Sequence, residues 1–168
     1  RHDSDPFVGY AVDEEKMITD LVLMKQHNMN AIRTSHYPNA PWATQLYDRF
    51  GFYVIDESDI EMHGTTSVYS KFPPHGYSYA DYLVNDRVYG SLCHDPRFEA
   101  AVLDRVQRNV ERDKNCPSVL MWSLGNESGY GPNMENAAAR KKTLDSQRLV
   151  QYEGRIYQIE AYQSHLRC

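Results

Sequence analysis

The sequence predicts an α/β fold in which parallel strands alternate with helices, as part of a (β/α)8 TIM barrel. Three observations lead there. Short apolar runs, residues 52–55 and 119–122, show no polar alternation, which is the pattern of strands covered on both faces of a parallel sheet. Each run is followed by a stretch of helical periodicity. Polar and charged residues then gather just past the strand ends, at 33–36, 56–61 and 126–127, where a barrel carries its active-site rim. A doubly wound sheet shares the first two features, and the third favours the barrel. A whole barrel takes about 250 residues, so the four strands in these 168 residues make up about half of one.

The elements follow in order. Asp13 precedes a helix-period stretch in which Met17, Leu21 and Met24 share a face, and Asp13, Glu14 and Glu15 suit its positive N-terminal end. Asn28 and Asn30 stop that helix, and Ala31-Ile32-Arg33 reads as a short strand. Pro41 opens a second helix that runs through Leu46 and Tyr47 to a stop at Gly51. The strand at 52–55 ends at Asp56-Glu57, and a polar segment from about Ser58 to His94 follows. Asp95-Pro96 starts the longest helix, with Phe98, Val102, Val106 and Val110 recurring every four residues. After Pro117 comes the strand at 119–122, then a turn at Gly129 and Gly131. A weaker helix spans about Asn133 to Leu144, and 149–152 is the last strand. No internal repeat or low-complexity segment interrupts the pattern.

Composition narrows the function classes. A net charge of −5 leaves no electrostatic footprint for nucleic acid or an anionic membrane. No apolar run approaches the ~18 residues of a membrane span, and no signal-peptide pattern opens the chain. The first residue is Arg1 rather than Met, so a processed or partial N-terminus is expected. Cys93, Cys116 and Cys168 are scattered, without the spacing of a disulfide framework or a metal knuckle; reduced thiols and a cytoplasmic location are the expectation. Tyr69, Tyr77, Tyr79, Tyr82 and Tyr89 crowd into one loop-like stretch, where they would stack on sugar faces or simply anchor the loop.

Several residues near the strand ends bear chemistry. Glu127, in Trp122-Ser123-Leu124-Gly125-Asn126-Glu127-Ser128, is placed to protonate a leaving oxygen, or else to favour the N-terminus of the helix that follows. In extended chain Glu61 and His63 point the same way and would converge on one cation, although such a pair also arises on solvated loops. His36 and His2 fall beside strand ends, within reach of a sugar hydroxyl or of ordinary loop partners. Arg33 needs an acidic partner if buried, with Asp56 or Glu57 as candidates. Glu57, Asp59 and Glu153 make the rim acid-rich, which suits a neutral sugar or a cation and repels an anion.

Taken together these stretches resemble glycoside hydrolase family 2, and within it the large β-galactosidases. The likeness runs through Arg1-His2, Met24-Lys25-Gln26 through Arg33-Thr34-Ser35-His36-Tyr37-Pro38, residues 48–57, Ile60-Glu61-Met62-His63-Gly64, Arg112-Asp113-Lys114-Asn115, Pro117-Ser118-Val119, residues 122–128 and Gln151-Tyr152-Glu153-Gly154, in family order. The resemblance implies barrel strands 2–5 with the end of strand 1. It further implies retaining hydrolysis of terminal β-D-galactosyl residues by double displacement. By the same likeness Glu127 is the general acid/base, Asn126 contacts the sugar 2-hydroxyl, and His2 and His36 steady the transition state. Glu61, His63 and Glu127 would ligate an active-site Mg2+. Mn2+ is the alternative, because magnesium prefers oxygen and His63 supplies nitrogen. The parent enzyme is expected to be a homo-oligomer acting on a β-galactoside.

Two departures belong with the likeness. The family's nucleophilic glutamate lies on a later strand with no counterpart here, so the fragment alone is expected to be inactive. Residues 1–154 read as the N-terminal half of the barrel, and 155–168 as a divergent tail. The polar segment after Gly64 resembles yeast and filamentous-fungal members more than bacterial ones. The rival readings are a β-glucuronidase or β-mannosidase of the same family, an inactive carbohydrate-binding barrel fragment, and a metallohydrolase using Glu61 and His63.

Overall fold

A computed structural model describes residues 5–62, 64 and 91–153, and local sequence explains its elements. Asp13 caps helix α1 (Glu14–Gln26), its carboxylate accepting from the Lys16 N–H at 2.8 Å. Strand β1 (Ala31–Arg33) follows. Pro41 fits the first turn of α2 (Pro41–Phe50), and Gly51 ends it in the left-handed conformation, φ 66°. After β2 (Tyr53–Glu57), a short helix α3 (Ser91–His94) and a 3-10 turn (Pro96–Phe98) lead into α4 (Glu99–Asp113). Strand β3 (Val119–Ser123), helix α5 (Pro132–Leu144) and strand β4 (Leu149–Gln151) complete the described chain.

All four strands are parallel and lie side by side in the order β1-β2-β3-β4. Sequential winding without a reversal of order is the barrel pattern. A doubly wound sheet reverses at a switch point, and no reversal occurs among the described strands. The helices cover one face: Ile32, Val54, Trp122 and Val150 pack with Leu21, Ala43, Leu46, Tyr47 and Val110. A second core of Ile60, Cys93, Val102, Val106, Leu124, Met134 and Ala137 joins α4 and α5 to the segments just past β2 and β3.

Two expectations need correcting. Strands buried on both faces were expected, but on the face a barrel turns inward Tyr53 is 55% exposed and Leu149 62%. Four strands supply only part of the layered side chains that fill a closed barrel. Phe98 was expected to extend the row of Val102, Val106 and Val110, yet it is exposed while those three are buried. It lies in the 3-10 turn, whose three residues per turn rotate it off a four-residue row. No helix among the described residues is long and apolar enough to cross a membrane.

Candidate active site

The inward-facing residues at the C-terminal ends of the strands form a continuous polar ladder. Glu57, fully buried at the end of β2, is its hub. Its carboxylate accepts from Arg33 Nε on β1 at 2.6 Å and from the Ser123 hydroxyl on β3 at 2.7 Å. His36 Nδ1 lies 3.0 Å from its other oxygen. Gln151 on β4 extends the ladder, its side-chain amide donating to Ser123 Oγ at 2.6 Å. Of the two candidate partners for Arg33, the structure selects Glu57. Burial opposes the guanidinium's charge, but the Glu57 carboxylate outweighs it and raises the Arg33 pKa above the usual arginine value.

Arg33 connects this ladder to the segment after β3. Its second amino group donates to Asn126 Oδ1 at 2.9 Å, and Asn126 Nδ2 donates to Glu61 Oε2 at 2.7 Å. A donor on one side and an acceptor on the other fix which way the Asn126 amide faces. The backbone makes that juxtaposition: Asn126 N–H donates to Ile60 O at 2.9 Å, and Glu61 and Asn126 form a parallel bridge beyond the paired strands. Gly125 permits it. At φ 156° a Cβ there would stand 2.5 Å from Ile60 O and 2.8 Å from Ile60 Cβ, so only glycine fits.

Glu127 follows at the exposed rim with φ 35°, a left-handed conformation that a non-glycine residue holds at some cost and that tends to occur at functional sites. Its backbone N–H donates to Glu153 Oε1 at 3.1 Å, and the other Glu153 oxygen is 3.9 Å from Arg33. Behind it, the Ser128 hydroxyl receives the Met62 N–H at 2.9 Å and donates to Asn126 O at 2.7 Å, tying the two loops together. Of the residues singled out by sequence, Asn126 and Glu61 touch each other and His36 joins them through Glu57 and Arg33. Glu127 is the next residue in the chain after Asn126. His2, His63 and the five clustered tyrosines lie outside the described residues. Among the described residues, no three His, Cys, Asp or Glu side chains converge as a metal site.

Sequence reading missed Ser123 and Gln151, which face inward beside Glu57. It also missed a second polar cluster on the outward face. There Asp56, fully buried, accepts from Thr34 Oγ1 at 3.1 Å and from Asn109 Nδ2 at 2.8 Å. Lys141, equally buried on α5, donates to Asn109 Oδ1 at 2.7 Å and to Ser123 O at 2.8 Å. Burial, then a hydrogen bond with Asp113, pushes Asp56 up to about 7, and burial brings Lys141 down to about 7. Strand alternation was the available signal: Asp56 and Glu57 must point to opposite faces.

A parallel sheet wound in sequence order, with an acid-rich and amide-rich rim at its strand ends, is part of a (β/α)8 barrel. The family described as "Glycosyl hydrolases family 2, TIM barrel domain" matches residues 1–166, and the chain belongs to that family. It is 51% identical over 170 aligned residues to a β-galactosidase of Actinobacillus pleuropneumoniae, covering 96% of this chain and 17% of that protein. A Staphylococcus xylosus β-galactosidase is 42% identical over 93% of this chain and 14% of its own length. The chain thus spans about a sixth of the curated relatives it matches. Among solved structures, a β-glucuronidase from Faecalibacterium prausnitzii superposes with a TM-score of 0.63 at 27% identity, covering 90% of this chain and 23% of that one.

Proposed function

We propose that this chain is part of the catalytic barrel of a retaining β-galactosidase and that Glu127 is its general acid/base. The observation that carries the reading is the Arg33–Asn126–Glu61 hydrogen-bonded chain, which orients the Asn126 amide immediately before Glu127. The named β-galactosidase relatives support galactose as the sugar. In a retaining mechanism Glu127 would donate a proton to the leaving oxygen and then, as carboxylate, take one from the attacking water. The nucleophilic carboxylate is proposed to come from a segment outside these 168 residues, so the chain alone is expected to hydrolyse nothing. His2 and His36 are proposed to face the sugar.

Mg2+, or Mn2+ in its place, is proposed at Glu61, His63 and Glu127. Hard carboxylate oxygens suit such an ion, and Glu61 is exposed beside Asn126, one residue from Glu127. When bound, the ion would supply a fixed positive charge beside the acid/base. A cytoplasmic, homo-oligomeric parent enzyme is part of the same proposal.

Glu127→Gln in the full-length enzyme tests the reading. Turnover of lactose and other poor leaving groups should fall roughly 10²–10⁴-fold. Nitrophenyl galactosides, which need little protonation, should lose far less. An equal loss for both classes would remove Glu127 from the acid role. The solved β-glucuronidase neighbours favour a second reading, which the unsubstituted enzyme decides: turnover of a glucuronide in preference to the galactoside would replace the substrate.

A further inference from the structure

The outward polar cluster reaches the active-site segment at one atom. Ser123 is the last residue of β3, and its carbonyl accepts two hydrogen bonds: the Ser58 N–H at 3.1 Å and Lys141 Nζ at 2.8 Å. Its hydroxyl meanwhile holds Glu57 on the other face. Four residues later the chain arrives at Glu127. Any shift of the Ser123 peptide therefore moves both the Glu57 hub and the start of the segment that carries Asn126 and Glu127.

Lys141 is an unusual residue to find here. It has no exposed surface, and a site that needed only bulk would favour an apolar side chain. Its donors are matched instead. One goes to Ser123 O and one to Asn109 Oδ1, which also accepts from the Ser58 hydroxyl at 3.2 Å. The Nζ lies 5.3 Å from the Trp122 ring centroid, so the same amine rests over the residue preceding Ser123. Asp56 and Glu57 are the acids that favour its charged form, with Asp113 and Arg112 of α4 acting on Asp56 beside it. Protonated or neutral, an amine has the two N–H groups these bonds require, so the contact does not depend on its titration.

We infer that Lys141 is a positioning residue for residues 124–127, fixing through the Ser123 carbonyl the strand end from which Asn126 and Glu127 project. The inference rests on the acid/base reading of Glu127 for its consequence in catalysis, but not for its test.

The test uses the full-length protein with Asn109→Met and Lys141→Met together, which removes the amine that holds Ser123 O and the amide that anchors that amine. Backbone hydrogen exchange is followed by mass spectrometry. The expected result is a folded protein with a lowered unfolding midpoint, because Asp56 and Ser58 lose their Asn109 partner, with exchange in residues 123–127 faster by roughly tenfold or more and residues 14–26 unchanged as internal reference. Turnover of a poor leaving-group galactoside should fall in kcat with little change in KM. Exchange in 123–127 equal to the parent, in a folded double variant, would overturn the inference. Should the double variant fail to fold, Lys141→Arg displaces the donor while keeping the charge. Faster exchange confined to 123–127 then supports the role, whereas unchanged exchange, or a rise everywhere, overturns it. Exchange needs no turnover, so an enzyme inactive on galactosides would refute the proposed function while leaving this result to stand or fall separately.

Discussion

Asp56 and Glu57 are neighbours in one strand, both acids and both without exposed surface, yet they sit in opposite kinds of environment. Glu57 faces the barrel interior, where the Arg33 guanidinium and the Ser123 hydroxyl donate to it and His36 Nδ1 is in contact. Asp56 faces the helices, where its partners are a neutral hydroxyl and amide and a second carboxyl, Asp113. One acid is neutralised by a partly exposed cation at the rim. The other is pushed toward its protonated form by burial. A polar residue at a barrel strand end can thus belong to the site or to its foundation, and the strand's alternation decides which.

The largest effect that would test this contrast is expected from removing the charge of Glu57. Glu57→Gln keeps the shape but leaves half-buried Arg33 with only the more distant Glu153 carboxylate, at 3.9 Å, as an ion-pair partner. Unfolding in urea should show a loss of about 2–4 kcal/mol. The same variant should lose catalytic activity, because Arg33 orients Asn126. A loss no greater than that of the isosteric change at Asp56 would break the comparison. Gly125→Ala comes next. The added Cβ meets backbone of Ile60 at 2.5 Å, so the two loops must part, costing about 1–3 kcal/mol as overpacking. Crystals of the variant should show the Asn126–Glu61 hydrogen bond lengthened; an undisturbed bond would show that the close approach of the loops is not what holds the amide.

Much of the fold could be read in the sequence because its signals were local. Pro41 and Gly51 mark the two ends of α2 as expected, and Asp13 caps α1. The four strands lie where the apolar runs were, and parallel order followed from the helices between them. The carboxylates, Arg33 and the Asn126-Glu127 pair were found because they stand at or just past strand ends, Arg33 and Glu57 being the last residues of β1 and β2. Ser123 and Gln151 were not found, since a lone serine or glutamine inside an apolar strand carries no charge signal. Lys141 and Asn109 were missed for a different reason. Each lies in a polar-rich helix whose surface is mostly solvated, and only the packing of α4 against α5 over β3 reveals that their side chains turn inward. Pairing at that distance in sequence has no periodic signature.

The smallest expected effect is at Asp56, and it appears as a slope rather than a loss. The folded-state pKa near 7 stands above the ordinary 3.8, so between about pH 4 and pH 7 the folded chain keeps a proton that the unfolded chain releases. That group alone makes the folded state less stable as pH rises through this window. Asp56→Asn has no such proton and should lack the slope. Near pH 4 the variant should match the parent to within about 1 kcal/mol, the scale of one neutral hydrogen bond. Toward pH 7 its urea midpoint should gain on the parent's. Lys141 works in the opposite sense above pH 7, where its lowered pKa makes stability rise with pH, so the series should stop at neutrality. If the parent keeps its advantage unchanged from pH 4 to pH 7, Asp56 is ionised in the folded protein and resembles Glu57 after all. The outward cluster would then be a second ion-paired network, and the division between rim and foundation would lose its electrostatic basis.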